Sequence, residues 1–103
     1  MPTQSAKKNV TVIVKFFTTL REIVGKKEEE IELSRTATVS ALIRLLSKKY
    51  GKEFDDYVYD ESGSVREHIQ FLVNGKSVTT LQGLRTKLRE GDQIAILPPV
   101  GGG

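Results

Sequence analysis

The chain has 103 residues, of which 38% are apolar and 28% charged, and a formal charge of +3. That size and balance fit one small globular domain with a thin core and exclude a disordered polymer. Without cysteine there is no disulfide framework, thiol nucleophile or zinc cluster. No apolar run reaches the ~18 residues of a membrane span and no signal core opens the chain, so a cytoplasmic protein away from the membrane is the expectation.

Residues 1–8, MPTQSAKK, are polar and contain a proline; they read as a flexible N-terminal tail ahead of a domain over 9–98. In NVTVIVKFF, Val10, Val12, Val14 and Phe16 alternate with Thr11, Ile13, Lys15 and Phe17, which is the period of a strand. TTLREIVGKK places Leu20, Ile23 and Val24 at helical spacing before Gly25, enough for a structured connection of a turn or two. EEEIELS sets Glu30 and Glu32 opposite Glu29, Ile31 and Leu33. It reads as a second strand, paired with the first in a hairpin and charged enough for a sheet edge.

TATVSALIRLLSKKYGK predicts the main helix. Thr38 is its N-cap, and Val39, Leu42, Ile43, Leu46 and Tyr50 form its apolar stripe. Lys48 and Lys49 suit the negative end of the helix, and Gly51 can take a left-handed stop. EFDDYVYDESGS reads as an acidic loop with some local structure around Phe54, Tyr57 and Tyr59. VREHIQFLVNGKSV reads as strand, turn, strand, with Ile69, Phe71 and Val73 on one face and Asn74-Gly75 as the hairpin turn. TTLQGLRTKLREGD reads as a loop with a short helical turn anchored by Leu81, Leu84 and Leu88. Glu90-Gly91-Asp92 then turns into a last strand, QIAILP, where Pro98 and Pro99 end the pairing. The economical way to bury one helix stripe on these strand faces is an α+β β-grasp. This is a mixed sheet of about five strands wrapped on one main helix, with the first and last strands central and parallel.

Little in the chain suggests catalysis. The single histidine, His68, stands beside Glu67 and reads as a partly exposed strand residue, not as part of a triad. Asp55-Asp56 and Asp60-Glu61 lack calcium-loop spacing, so no metal is expected. The run Lys26 to Glu30 reads as a solvated face. There is no phosphate-binding glycine motif, and no basic block with interleaved aromatics that would mark direct nucleic-acid binding.

The ending PPVGGG raises a different possibility. A carboxylate becomes an acyl donor only after activation, usually as an adenylate made from ATP. A chain with no nucleotide loop must hand that step to a partner. Glycine has no Cβ to obstruct a narrow slot. Pro98 and Pro99 stiffen the exit at ~3.1 Å per residue, and Val100, Gly101, Gly102 and Gly103 complete a tail over 99–103. The residues alone leave open a working terminus and an idle one.

VKFFTTLREIVGKKEEEIEL, ATVSALIRLLSKKYG, VNGKSV and LREGDQIAILPPVGGG together resemble the MoaD/ThiS family of ubiquitin-like sulfur carriers, especially the molybdopterin synthase small subunit and the small archaeal modifier proteins. The resemblance runs from Val10 to Gly103, and its most specific pieces are the opening FF…LRE and the closing GD…PPV.GG. It implies a β-grasp and a non-catalytic carrier with no bound cofactor. A ubiquitin-activating-enzyme-like partner would use ATP to adenylate Gly103, and sulfur transfer would give a thiocarboxylate. That product would serve molybdopterin formation, with the synthase large subunit as partner, or tRNA thiolation. The alternative is conjugation through Gly103 to lysines of target proteins, and a plain interaction module is the remaining reading. Gly102 and Gly103 match the family's terminal pair, so no processing step is expected. The stretch from Lys52 to Ser64 is longer than in the shortest relatives, and Met1 to Lys8 has no family counterpart.

Alternation also suggests a docking face. With Phe16 and Ile96 toward the helix, Phe17, Leu72 and Leu97 fall on the outer side of the sheet and predict an exposed apolar patch near the tail. The family's use of equivalent sheet positions implies that Phe17 and Leu97 bind partners. Arg21, in the LRE segment, reads either as a polar rim contact or as a plain surface arginine. Ser77 stands where relatives often carry an apolar residue.

Overall fold

The computed structural model describes residues 9–98. Among them the order is β1 (Asn9–Phe16), α1 (Thr18–Val24), β2 (Glu28–Ser34), α2 (Val39–Tyr50), α3 (Lys52–Val58), β3 (Gln70–Val73), β4 (Lys76–Ser77) and β5 (Gln93–Leu97). Two 3-10 turns, Val78–Thr80 and Gly83–Arg85, precede β5. The sheet order is β2-β1-β5-β3-β4. β1 and β5 are parallel and central, as the alternation predicts, and β1 pairs antiparallel with the acidic edge strand β2. This is the β-grasp.

The core lies between α2 and one face of the sheet. Val12, Val14 and Phe16 of β1, Ile94 and Ile96 of β5, and Phe71 and Val73 of β3 lie side by side on one face of the sheet and share a core with Val39, Leu42, Ile43 and Leu46 of α2. Each fully buried side chain of this kind contributes roughly 1.5–3 kcal/mol, and α2 supplies four. The Thr38 hydroxyl accepts the Ala41 backbone N–H at 3.2 Å, which fixes where α2 begins. Gly51, at φ 81°, ends α2 and starts α3 in one residue, a conformation that a side chain would strain.

The tight turn Glu90-Gly91-Asp92 sets the register of the two central strands. Gly91 N–H donates to Thr11 O at 2.8 Å, and Ile13 N–H donates to Asp92 O at 2.9 Å. The Glu90 carboxylate accepts the Thr11 N–H at 3.0 Å. Asn74 and Gly75 both have positive φ, 51° and 85°, as the mirror-image hairpin turn requires. Asn74 also bridges to β5, donating to Asp92 Oδ1 and accepting from Gln93 N–H, each at 2.9 Å.

Four sequence expectations need correction. The acidic stretch after Gly51 is not a loop but α3, because Phe54 and Val58, four residues apart, are both fully buried. The strand expected from Val65 begins only at Gln70, since Val65 instead bridges Tyr59 across the Asp60–Ser64 turn. His68 is therefore an exposed residue ahead of the strand. Leu81 does not anchor the loop before β5. It is 41% exposed, whereas the other two expected anchors hold: Leu88 is buried and Leu84 packs partly buried on the core, joined by Val78.

Candidate functional site

The candidate site is a sheet face and the corner beside it. Lys15 pairs with Ala95, Ala95 with Leu72, and Leu72 with Ser77, forming one row across β1, β5, β3 and β4. The next row toward the exit contains Gln70 opposite Leu97. Phe16 pairs with Ile96, so Phe17 and Leu97, one residue further along parallel chains, follow on the outer face. Leu72 is diagonal to Leu97, at about 7–8 Å between backbones. The structure thus brings Phe17, Leu72 and Leu97 to one face, each half-buried and not fully exposed. Ser77 interrupts the apolar row at the β4 edge.

β1 stops at Phe16, and Phe17 is the extended residue that caps α1. Thr18, at φ 48°, makes the turn into α1. That conformation is strained for a β-branched residue and holds only where its surroundings impose it. Arg21 reinforces the corner. Its Nε donates to Phe16 O at 3.4 Å, and its guanidinium lies 5.9 Å from the centre of the Phe17 ring. The chain leaves the sheet at Pro98, next to this corner. The candidate tail positions Pro99, Val100, Gly101, Gly102 and Gly103, like the leader Met1 to Lys8, lie outside the described residues.

A polar clamp beneath the corner is partly hidden in the sequence. Glu29 falls in the run that reads as a solvated face, yet its side chain is only 9% exposed. It accepts hydrogen bonds from the Tyr50 hydroxyl and the Lys49 ammonium at the end of α2, with the Lys26 ammonium 3.8 Å away. The Tyr50 ring meets Phe16 edge-on, with centroids 6.4 Å apart. The signal was present: alternation places Glu29 on the inner side with Ile31 and Leu33. Burial alone pushes the Glu29 carboxyl up. The bonds from Lys49 and Tyr50 and the charges of Lys49 and Lys26 outweigh it and hold the carboxyl below its ordinary value. Burial and the neighbouring Glu29 push Tyr50 up.

A carboxyl lowered on folding adds stability above its unfolded pKa and loses that contribution as pH falls through the folded value. Glu29→Gln is therefore expected to cost about 2 kcal/mol near neutrality. Urea midpoints of the two proteins should converge as pH drops from 7 to 3. A gap that stays constant would show that the carboxylate charge is irrelevant.

No reactive constellation accompanies this face. The His68 ring has no partner among the described residues, and no group of three or more potential metal-ligating carboxylates or imidazoles gathers among them. No helix of the described residues is long and apolar enough to cross a membrane. The arrangement offers an apolar contact face, a cation at its rim, and a chain leaving beside it.

These features define a ubiquitin-like β-grasp protein with its apolar face at the C-terminal end of the central strands. Residues 14–103 match the family model described as the ThiS family, and the chain belongs to that family. It is 37% identical to small archaeal modifier protein 3 of Haloferax volcanii over 90 residues, covering 87% of this chain and 96% of that one. It is 30% identical to the molybdopterin synthase sulfur carrier subunit of Drosophila yakuba over 94 residues, covering 91% and 92%. The solution structure of the Haloferax volcanii HVO 2177 protein superposes with a TM-score of 0.82 at 33% identity, covering 98% of this chain and 93% of that one.

Proposed function

We propose that this protein is a cytoplasmic ubiquitin-like sulfur carrier that performs no catalysis itself. A ubiquitin-activating-enzyme-like partner binds the face formed by Phe17, Leu72 and Leu97, with Arg21 at its rim, and takes up the tail. One carboxylate oxygen of Gly103 attacks the α-phosphorus of ATP and pyrophosphate leaves. A hydrosulfide ion then attacks the acyl carbon, AMP leaves, and loss of the thiol proton gives a thiocarboxylate. ATP is the partner's substrate, and this chain holds no cofactor. The thiocarboxylate supplies sulfur for molybdopterin, through a synthase large subunit, or for tRNA thiolation.

One observation carries this reading: the family match runs through the sheet face and on to Gly103, and it includes a relative named as a sulfur carrier subunit. The likeness to a small archaeal modifier protein favours a second use of the same activated end, conjugation to target lysines. Intact-mass analysis after incubation with ATP, a sulfur source and the activating enzyme tests the first reading. The expected product is heavier by the difference between one sulfur and one oxygen, and an unchanged mass contradicts the carrier. For conjugation, tryptic digests of cellular proteins should contain lysines branched with the peptide Glu90 to Gly103, because Arg89 is the last basic residue. Absence of that branch rejects the modifier role.

A further inference from the structure

We propose that the surface formed by residues 81–89 docks an acidic, extended segment of a partner protein that carries an apolar side chain. Arg85, Lys87 and Arg89 are exposed, while Thr86 and Leu88 between them are buried. Arg85 closes the 3-10 turn Gly83–Arg85; from Thr86 the chain runs extended, and the alternation there points Lys87 and Arg89 outward, about 6.6–7 Å apart. The stretch is held firmly. Val39 N–H donates to Thr86 O and Leu88 N–H to Ala37 O, both at 3.0 Å, and Arg89 N–H donates to Asp92 Oδ2 at 2.8 Å. The Thr86 hydroxyl donates to Gly83 O at 2.7 Å and accepts from Gln82 N–H at 3.0 Å.

None of the three cationic side chains forms an ion pair with a described residue, whereas Lys26, Lys49 and Lys52 each have a carboxylate. A depression of about 520 Å³ beside them is lined by Thr38, Gln82, Arg85 and Lys87, with no acidic group. Leu81 adjoins Gln82 and is, at 41%, the one large apolar side chain so exposed among the described residues. Arg85 and Lys87 lining the depression, Arg89 one strand repeat beyond Lys87, and an exposed leucine beside Gln82 complement a segment with several carboxylates and one apolar residue. No aromatic residue occurs in 81–89, so the surface lacks the stacking platforms that single-stranded nucleic acid uses.

The location gives the surface its use. It precedes β5, and the five residues of β5 separate it from the exit at Pro98, about 16 Å along the strand. A partner held here leaves the apolar face of Phe17, Leu72 and Leu97 for a second protein. The inference does not depend on what chemistry Gly103 undergoes.

The test is fluorescence anisotropy of a labelled dodecapeptide of Asp and Glu with one central Leu, titrated with the full chain at low salt. Saturable binding is expected. The double change Arg85→Glu/Lys87→Glu should weaken it about tenfold or more, and Leu81→Ser about threefold. The pair Lys48→Glu/Lys52→Glu alters net charge equally and should change affinity less than about twofold. All five positions are exposed, and circular dichroism checks that each variant folds. Equal losses in both double variants would mean only general attraction to a cationic chain and would overturn the proposal. So would a lack of saturation, an unaffected Leu81→Ser variant, or a single-stranded oligonucleotide of equal charge binding more tightly than the peptide.

Discussion

A chain carrying one added tyrosine after Gly103 is expected to acquire no thiocarboxylate under conditions where the unaltered chain does. In the proposed cycle the reacting carbon is the carboxyl carbon of Gly103, delivered to within about 3–3.5 Å of its reaction partner. One more residue displaces the terminal carboxylate by roughly 3.3–3.6 Å. It also puts an aromatic ring where glycine presents only hydrogen. A misplacement of about 1 Å can cost about 100-fold in rate, so the loss should exceed that. Intact mass reports the sulfur, and pyrophosphate exchange reports adenylation separately. The urea midpoint should not move, because the addition follows Gly103 in sequence, well after β5 ends at Leu97. Sulfur uptake at the ordinary rate would reject the tail as the working part. Loss of uptake with exchange preserved would place the added residue's effect after adenylation.

Much of this site was legible because strands impose a two-residue period. The alternation in NVTVIVKFF fixes Phe16 inward and Phe17 outward, and the same period in QIAILP does so for Ile96 and Leu97. The adjacency of the two strands belongs to the β-grasp, the economical arrangement for this order of strands around one helix. Half-burial was not legible. The alternation makes Phe17 the last residue of a strand, but it caps α1 and lies under the Arg21 guanidinium. A leucine near a helical turn normally packs inward, whereas the 3-10 turn ends before Leu81 and leaves its side chain exposed. Glu29 shows the opposite error. Four neighbouring charges hide a residue whose position in the alternation pointed inward. The leader and tail assignments fall on residues outside the described structure.

Phe54→Ala is expected to be the most destabilising of these changes, at about 3–5 kcal/mol. Stretch 52–58 reads as acidic loop because four of its seven residues are charged and an N-cap side chain is missing; Gly51 precedes it instead. Its helicity comes from burial: Phe54 and Val58 occupy one face and are both 0% exposed. α3 packs against both α1 and α2, so Phe54 supports the helix that carries Arg21 and follows Phe17. Removing its ring opens a cavity at that junction, and small domains hold only about 5–15 kcal/mol in total. Urea unfolding should therefore show a greatly lowered midpoint for Phe54→Ala, a smaller drop for Phe54→Leu, and almost none for Lys52→Ala, whose ion pair with Asp56 is exposed. If Phe54→Ala cost under about 0.5 kcal/mol, as a surface change would, the longer 52–64 stretch would be an ornament. Its measured cost thus decides whether this stretch is part of the scaffold that shapes the partner face.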